Sequence, residues 1–369
     1  MNIKDIETFR AAIPLHTPFK TALRTVTVAE TVLVKITCDD GITGWGEAPP
    51  THVITGDSLS GVEFAINGIL KPIITGASLQ KREHIFEMIG KGLVGNYSAK
   101  AAVDMALYDC LAQEAGMTLS SFLGGYKDTI ESDYTVSVNT PEEMALDAQR
   151  YVQDGFSILK VKVGKDLIET DIKRIQAIRG KIGPDIKIRL DANQGWKAKE
   201  AVRAIQKMED LGLDIELVEQ PVKANDLEGL RQVTTHTDTL IMADESVFTA
   251  VDAKKVLETG AADLINIKLM KSGGIHEAMK IAKLAGIYNV ECMVGSMIET
   301  KLGITAAAHF AASQPNITRY DFDAPLMLTG DLLQGGITYE QSTINLGNEP
   351  GLGITGINEA FLQSKITMN

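Results

Sequence analysis

Cysteine is scarce in this chain. Its 369 residues include three, Cys38, Cys110 and Cys292, widely separated and odd in number. With no CxxC among them, a disulfide framework and the usual paired-cysteine metal spacings are excluded, and a reducing compartment fits. Long apolar runs are also missing. No stretch of about 18 apolar residues is present to span a bilayer. Met1-Asn-Ile-Lys-Asp-Ile-Glu7 has no charged segment leading into an apolar one, so the expectation is a cytoplasmic protein. Positive charge is in deficit, with 36 Lys and Arg against 48 Asp and Glu, a net charge of -12. That balance argues against nucleic acid and anionic membrane as partners, but not against a local positive pocket. What is there is an ordinary globular composition, 44% hydrophobic and 23% charged, with ample material for a core. The length allows one large domain or two ordinary ones.

The most informative stretch is Ser157-Ile-Leu-Lys-Val-Lys-Val163. Its composition is that of a strand, and on a strand residues i and i+2 share a face. Lys160 and Lys162 therefore point one way, and Leu159, Val161 and Val163 the other. Taken alone, such a pair marks the wet side of a surface sheet. From Lys162 onward, however, a polar residue closes an apolar strand at intervals of about 24 to 29 residues, the length of one strand plus one crossover helix. Asp191, Glu219, Asp244, Lys268, Ser296 and then Asp321 follow in turn. With Asp133-Tyr-Thr-Val-Ser-Val138 upstream, eight strands result, as a closed parallel barrel needs. The crossovers carry apolar stripes, as in Ile168, Ile172, Ile175, Ile178 and Ile182, with later helices beginning at Leu227, Ala250, Ile275 and Gly303. Helices covering the outer face leave no wet side, so the polar parity must face the barrel interior.

Upstream, residues 1–125 read as an α+β cap. Glu30–Cys38 and Thr43–Glu47 form a hairpin about Asp39-Asp-Gly41. Two loops, about residues 14–25 and 49–57, have the length of substrate lids. Lys100–Ala115 is a helix stopped by Gly116, with Val103, Leu107, Cys110 and Leu111 on one face. Residues 126–325 form the barrel. Residues 326–369 contain a strand at Thr338–Leu346 and no further βα unit, and are expected to return to the cap.

Catalytic groups in such barrels sit at the C-terminal strand ends. Singly, Asp191, Glu219 or Asp244 would cap the helix that follows. Three like charges converging from adjacent strands require a cation, and oxygen donors alone favour Mg²⁺, with Mn²⁺ as substitute, over zinc. Glu245 has the opposite parity and lies behind them. Lys162 and Lys268 flank this group from strands four apart. With Lys160 and a metal nearby, desolvated lysines would have lowered pKa values and serve as bases. Bases on opposite faces of one carbon can exchange its proton with inversion through an enediolate, the chemistry of a racemase or epimerase.

The motifs Lys160-Val-Lys162, Asp191-Ala-Asn193, Glu219-Gln-Pro221, Ala243-Asp-Glu245 and Asn266-Ile-Lys268, with Asp104–Asp109 in the cap, resemble the muconate-lactonizing subgroup of the enolase superfamily over nearly the whole chain. The resemblance implies an α/β fold, a modified (β/α)₇β TIM barrel with an N-terminal α+β cap. It also implies Mg²⁺ on Asp191, Glu219 and Asp244, acid/base lysines at 162 and 268, and support from Lys160. Asp321-Phe-Asp323 looks like the pair that holds the free amino group of the substrate in dipeptide epimerases. Arg24 is similar in position to an arginine that pairs with a substrate glutamate. Thr135, Ser296 and Ile298 are further candidates for substrate contact, whereas His16 and His52 have no evident role. The expectation is an isomerase that interconverts L-Ala-D-Glu and L-Ala-L-Glu in cell-wall peptide degradation. Rivals are an epimerase of hydrophobic or cationic dipeptides, an o-succinylbenzoate synthase and an N-acylamino acid racemase. A non-enzymatic scaffold is disfavoured by so much buried charge. A homo-oligomer is left open.

Overall fold

The computed structural model describes residues 1–363; positions 364–369 of the C-terminal segment lie outside the described residues. Eight parallel strands stand side by side in chain order. They are β5 (Tyr134–Val136), β6 (Ile158–Lys162), β7 (Lys187–Asp191), β8 (Ile215–Glu219), β9 (Leu240–Ala243), β10 (Leu264–Ile267), β11 (Glu291–Val294) and β12 (Ile317–Tyr320). The outer two meet where Asp133 N–H donates to the Tyr320 carbonyl at 3.2 Å and Thr135 N–H to Asp323 Oδ2 at 2.6 Å. The architecture is a modified α/β TIM barrel.

Parity sorts the strands into two layers. Leu159, Ile188, Val218 and Ile267 are fully buried beneath the helices, which supply apolar stripes to match. Leu217, Met242, Leu264 and Met293 form a separate apolar cluster inside the ring. Leu217, Met242 and Leu264 share parity with Glu219, Asp244 and Lys268 further along their strands, whereas Ser296 has the opposite parity to Met293. The barrel is thus plugged from below, and its charged layer sits at the C-terminal mouth.

The crossover helices begin close to their expected positions. They are α2 (Pro141–Gln153), α3 (Ile168–Ile182), α4 (Ala198–Asp210), α5 (Leu227–His236), α6 (Ala250–Thr259), α8 (Ile275–Ile287) and α9 (Lys301–Ala312). They follow the cap helix α1 (Tyr97–Glu114), and a one-turn helix α7 (Leu269–Ser272), which no apolar stripe announces, stands between β10 and α8. Gly183 ends α3 at φ +79, a conformation that favours glycine. Among the described residues no helix is long and apolar enough to cross a membrane.

The cap corrects three expectations. Its sheet is a meander of β1 (Ile3–Lys20), β2 (Thr25–Cys38) and β3 (Thr43–Ala48). The proposed loop 14–25 is largely strand: β1 runs on to Lys20, and only a tight turn, closed by Thr21 N–H to the Arg24 carbonyl at 3.0 Å, remains. Pro14 and Pro18 are tolerated because β1 is an edge strand, and the register shifts between Pro14 and Phe19. Residues 49–57 contain no strand or regular helix. Helix α1 is buried on all sides from Ser98 to Ala112 rather than on one face. A Cβ on Gly46 of β3 would stand 1.9 Å from the Ala102 carbonyl oxygen, so glycine permits this close approach. Finally, the stretch 338–346 is a hairpin, not one strand. β14 (Thr338–Glu340) and β15 (Thr343–Asn345) turn through Gln341 at φ +54, and β15 pairs on its other side with β4 (Thr129–Glu131). The tail also forms β13 (Leu333–Gly335) with β16 (Ile354–Ile357), and it touches the cap where Thr329 N–H meets the Pro14 carbonyl and Gln363 N–H the Arg10 carbonyl.

Candidate active site

The β1–β2 turn and the loop 49–57 overhang the charged mouth of the barrel. Together they bound a cleft of about 530 Å³. Phe19, Thr21, Leu23 and Arg24 come from the turn region, and Val53 and Ile54 from the loop. The barrel contributes Thr135, Lys160, Lys162, Asn193, Lys268, Ser296, Met297, Ile298, Asp321 and Asp323. Asp191, Glu219 and Asp244 lie beneath this lining and are fully buried.

The layer is built by register. Lys162 pairs with Asp191 across β6 and β7, and Asp191 with Glu219 across β7 and β8. Asp244 follows β9, and Lys268 follows β10. The acids therefore stand on the three strands between the two lysines. Lys162 Nζ donates to Asp191 Oδ2 at 2.5 Å and stands 5.7 Å over the Phe19 ring. On the other side Lys268 Nζ donates to Asp244 Oδ2 at 2.8 Å and is 3.9 Å from Glu219 Oε1. Asn266 Nδ2 donates to that same Glu219 oxygen at 2.6 Å. Lys160 bonds Asp321 and lies 3.7 Å from Glu219 Oε2 and 3.9 Å from Asp191 Oδ2.

These charges set one another's protonation. Burial, then the Asp191 charge, pushes Glu219 up to about 7. Burial also works against the Asp244 anion, yet Lys268 and Lys271 outweigh it and hold that carboxyl well below the usual range. For Lys268 the expected lowering, which counted on a metal beside it, is reversed among the protein's own charges: burial acts to lower its pKa, but Asp244 and Glu219 raise it. Lys160 is raised in the same way against burial by Asp321 and Glu219. The acids outnumber the bases in this layer, which the parity pattern alone does not weigh.

Asp321 and Asp323 depart from their expected setting as well. β12 ends at Tyr320, so the pair lies just beyond the strand rather than on it. Phe322 between them is fully buried, and both carboxyls still reach the cleft. Asp321 is bound by Lys160. Burial raises its pKa, but Lys160 and Lys162 prevail and lower it. Asp323 accepts from Thr135 N–H, and burial followed by the Asp321 charge raises it to about 6. Ser296 Oγ donates to the Asp321 carbonyl at 3.4 Å. Ile298 is buried in the wall. Arg24 is half-buried, burial lowers its pKa, and its guanidinium has no hydrogen bond or ion pair among the described residues.

Some members of the site escaped the sequence reading. Phe19 lies in a Pro- and Thr-rich stretch whose weak pattern predicts loop. Asn193 shares the parity of Asp191; its N–H donates to Asp191 Oδ1 at 2.9 Å, and its own Oδ1 is buried without a partner. Glu219 Oε2 and both Glu245 oxygens are likewise buried without a hydrogen bond. Among the described residues no three His, Cys, Asp or Glu side chains are gathered as a metal cage. Asp191 faces Lys162, Glu219 lies between Lys160 and Lys268, and Asp244 faces Lys268.

Two family models match the chain. One, described as "Mandelate racemase / muconate lactonizing enzyme, N-terminal domain", covers residues 3–124, and "Enolase C-terminal domain-like" covers 143–360. An L-Ala-D/L-Glu epimerase of Bacillus subtilis (strain 168) is 65% identical over 356 residues, 96% of this chain and 97% of that one. A protein of the same name from Clostridium acetobutylicum is 50% identical over 97% of this chain and all of its own. Among solved structures, a substrate-liganded complex of the Bacillus subtilis L-Ala-D/L-Glu epimerase superposes with TM-score 0.97 at 64% identity, covering 97% of this chain and 100% of that one. A dipeptide epimerase from Enterococcus faecalis V583, complexed with Mg and the dipeptide L-Leu-L-Tyr, gives TM-score 0.94 at 45% identity over 96% of this chain and 100% of its own. With both halves matched and full-length relatives so similar, the chain belongs to the mandelate racemase/muconate lactonizing enzyme family of the enolase superfamily.

Proposed function

We propose that this protein is a dipeptide epimerase that interconverts L-Ala-D-Glu and L-Ala-L-Glu by moving one proton at the glutamate α-carbon. The observation that carries the reading is the placement of Lys162 and Lys268 in one cleft, on strands four apart, with the acid strands between them. An α-carbon held there has an amine on each side. Lys162 takes the proton from one face while Lys268, as an ammonium, returns one to the other, and the roles exchange for the reverse direction. Lys160 supports the layer through Asp321.

Asp191, Glu219 and Asp244 are the residues that would hold Mg²⁺. An all-oxygen donor set fits it, and Glu219 Oε2, buried with only a 3.7 Å ion pair to Lys160 and no hydrogen bond, keeps acceptor capacity for a cation. Bound there, Mg²⁺ supplies Lewis-acid polarisation of the substrate carboxylate and offsets the acidic layer. Lys268 is then governed by burial, the largest influence on it, which favours the neutral amine a base requires. Asp323, with Asp321 beside it, receives the substrate ammonium. Arg24 closes over the substrate side-chain carboxylate. The free guanidinium favours glutamate over the hydrophobic dipeptides that an Enterococcus faecalis relative, 45% identical, is named for. Such an enzyme suits the degradation of cell-wall peptides in the cytoplasm.

The test is proton NMR in deuterated water with Mg²⁺ and L-Ala-L-Glu. The glutamate α-proton signal should vanish as the second diastereomer appears. Retention of that proton, or exchange with no Mg²⁺ requirement, sinks the proposal.

A further inference from the structure

Lys271 lies outside the cleft, in the one-turn helix α7 directly after Lys268, and is fully buried. Its Nζ donates to the carbonyls of Val247 and Asn266, both at 3.0 Å, and to that of Asp244, and it stands 2.7 Å from Asp244 Oδ1. A buried ammonium persists only where every proton is used and a counter-charge is near. Here all of those partners belong to the end of β10 and to the segment that follows β9. These are the strands that carry Lys268 and Asp244.

The turn that presents Lys271 is anchored in its own right. Lys271 N–H and Ser272 N–H donate to the Lys268 carbonyl at 2.9 and 3.0 Å. Gly273 and Gly274 then reverse the chain at φ +83 and +117. Asp104 of the cap helix α1 accepts from Ile275 N–H at 2.5 Å and His276 N–H at 3.1 Å. A Cβ on Gly274 would meet Asp104 Cγ at 2.3 Å, so the cap helix presses on the turn without intervening space. Asp104 thus fixes the turn, the turn fixes Lys271, and Lys271 fixes the Asp244 carboxylate.

We infer that Lys271 is a positioning residue. It holds Asp244 Oδ1 in place, leaves Oδ2 to face Lys268, and so sets the affinity of the acidic layer for a divalent cation. The inference rests on the Mg²⁺ reading above. A residue that merely filled the core could be replaced by a methionine of similar volume without change in metal binding. One that orients a ligand could not, because groups of this kind change metal affinity by about 10- to 100-fold when removed.

The experiment is calorimetric titration of Mg²⁺ alone into the full-length wild type, Lys271→Met, Lys271→Arg and the remote core variant Ile281→Ala. Wild type and Ile281→Ala should bind with equal affinity. Lys271→Met should bind at least tenfold more weakly than either, and Lys271→Arg, which keeps the charge, should fall between. Equal affinity of Lys271→Met and Ile281→Ala overturns the inference. If Lys271→Met does not fold, Lys271→Arg decides: a threefold or greater loss supports the role, and wild-type affinity overturns it. Failure of the wild type to bind Mg²⁺ would remove the metal reading, and this inference with it. Normal wild-type binding with unchanged variants removes the inference alone.

Discussion

Glu47 of the cap strand β3 caps the first turn of the barrel helix α9 at Thr300. Its Oε1 accepts from Thr300 N–H at 2.9 Å, and its Oε2 from Thr300 Oγ1 and Gly303 N–H, each at 2.7 Å. The carboxylate is fully buried, so burial pushes its pKa up while these donors oppose that shift. Removing it strands two backbone N–H groups at a helix N-terminus, where a negative charge is favoured. Glu47→Ala should therefore cost about 2–4 kcal/mol, read as a lower urea midpoint by circular dichroism. Glu47→Gln, which retains one carbonyl acceptor, should lose less. Wild-type stability in Glu47→Ala would show that the cap and barrel are held together elsewhere.

Under the proposed function, Arg24 carries the choice of substrate. Its guanidinium is half-buried in the cleft wall and unpaired among the described residues. A bidentate pair with a glutamate side chain contributes roughly 1.5–3 kcal/mol. Arg24→Ala should lower kcat/KM for L-Ala-L-Glu by roughly 10- to 100-fold, mostly through KM. Activity on a neutral dipeptide such as L-Ala-L-Leu should stay nearly constant. Equal losses on both substrates would assign Arg24 to the lid rather than to specificity.

Much of this site was legible because strand parity and βα spacing are local properties. Lys160, Lys162, Asp191 and Glu219 needed only the period-2 rule and the count of residues between strands. What escaped depends on neighbours that no local pattern reveals. β1 continues through two prolines because it is the edge strand of its sheet, met on the outer side only by single bridges from the tail, and that setting of Phe19 is invisible to local pattern. Lys271 precedes Ser-Gly-Gly and looks like a solvated turn lysine. It is buried because the cap helix lies over that turn. The lysine pKa directions required knowing how many carboxylates surround each amine, a property of the closed ring. The Asp321 bond to Lys160 joins the end of β12 to β6, six strands away in sheet order, and exists only because the ring closes through β5.

Asp323 gives the site a pH signature. Burial, then the Asp321 charge, raises its pKa to about 6. An acid with a raised pKa gives up its charge sooner as the solution is acidified. If ionised Asp323 holds the substrate ammonium, KM should climb as pH falls through about 6, not through the ordinary aspartate range near 4. Asp323→Asn should raise KM at neutral pH and abolish this rise. Any other group that titrates in this range does so in both proteins, so the comparison isolates Asp323. Initial rates measured from about pH 5 to 8 provide the check, and the same KM inflection in both proteins would place the titration elsewhere.

The two lysines should fail in complementary ways. Lys162→Ala and Lys268→Ala should each reduce epimerisation by about a thousandfold or more, since in the proposed reaction each removes one of two proton carriers. The lysine that remains still faces one side of the α-carbon. Each variant should then exchange the α-proton of one diastereomer with solvent deuterium and leave the other untouched, the preferred isomer being opposite in the two variants. Both amines sit in one cleft, on opposite flanks of the acid strands, and in the proposed reaction each serves its own face. Incubating each variant separately with L-Ala-L-Glu and L-Ala-D-Glu, and following deuterium by mass spectrometry, reads this directly. Exchange of both isomers by either variant would mean that one lysine serves both faces, and inversion would then need a different explanation.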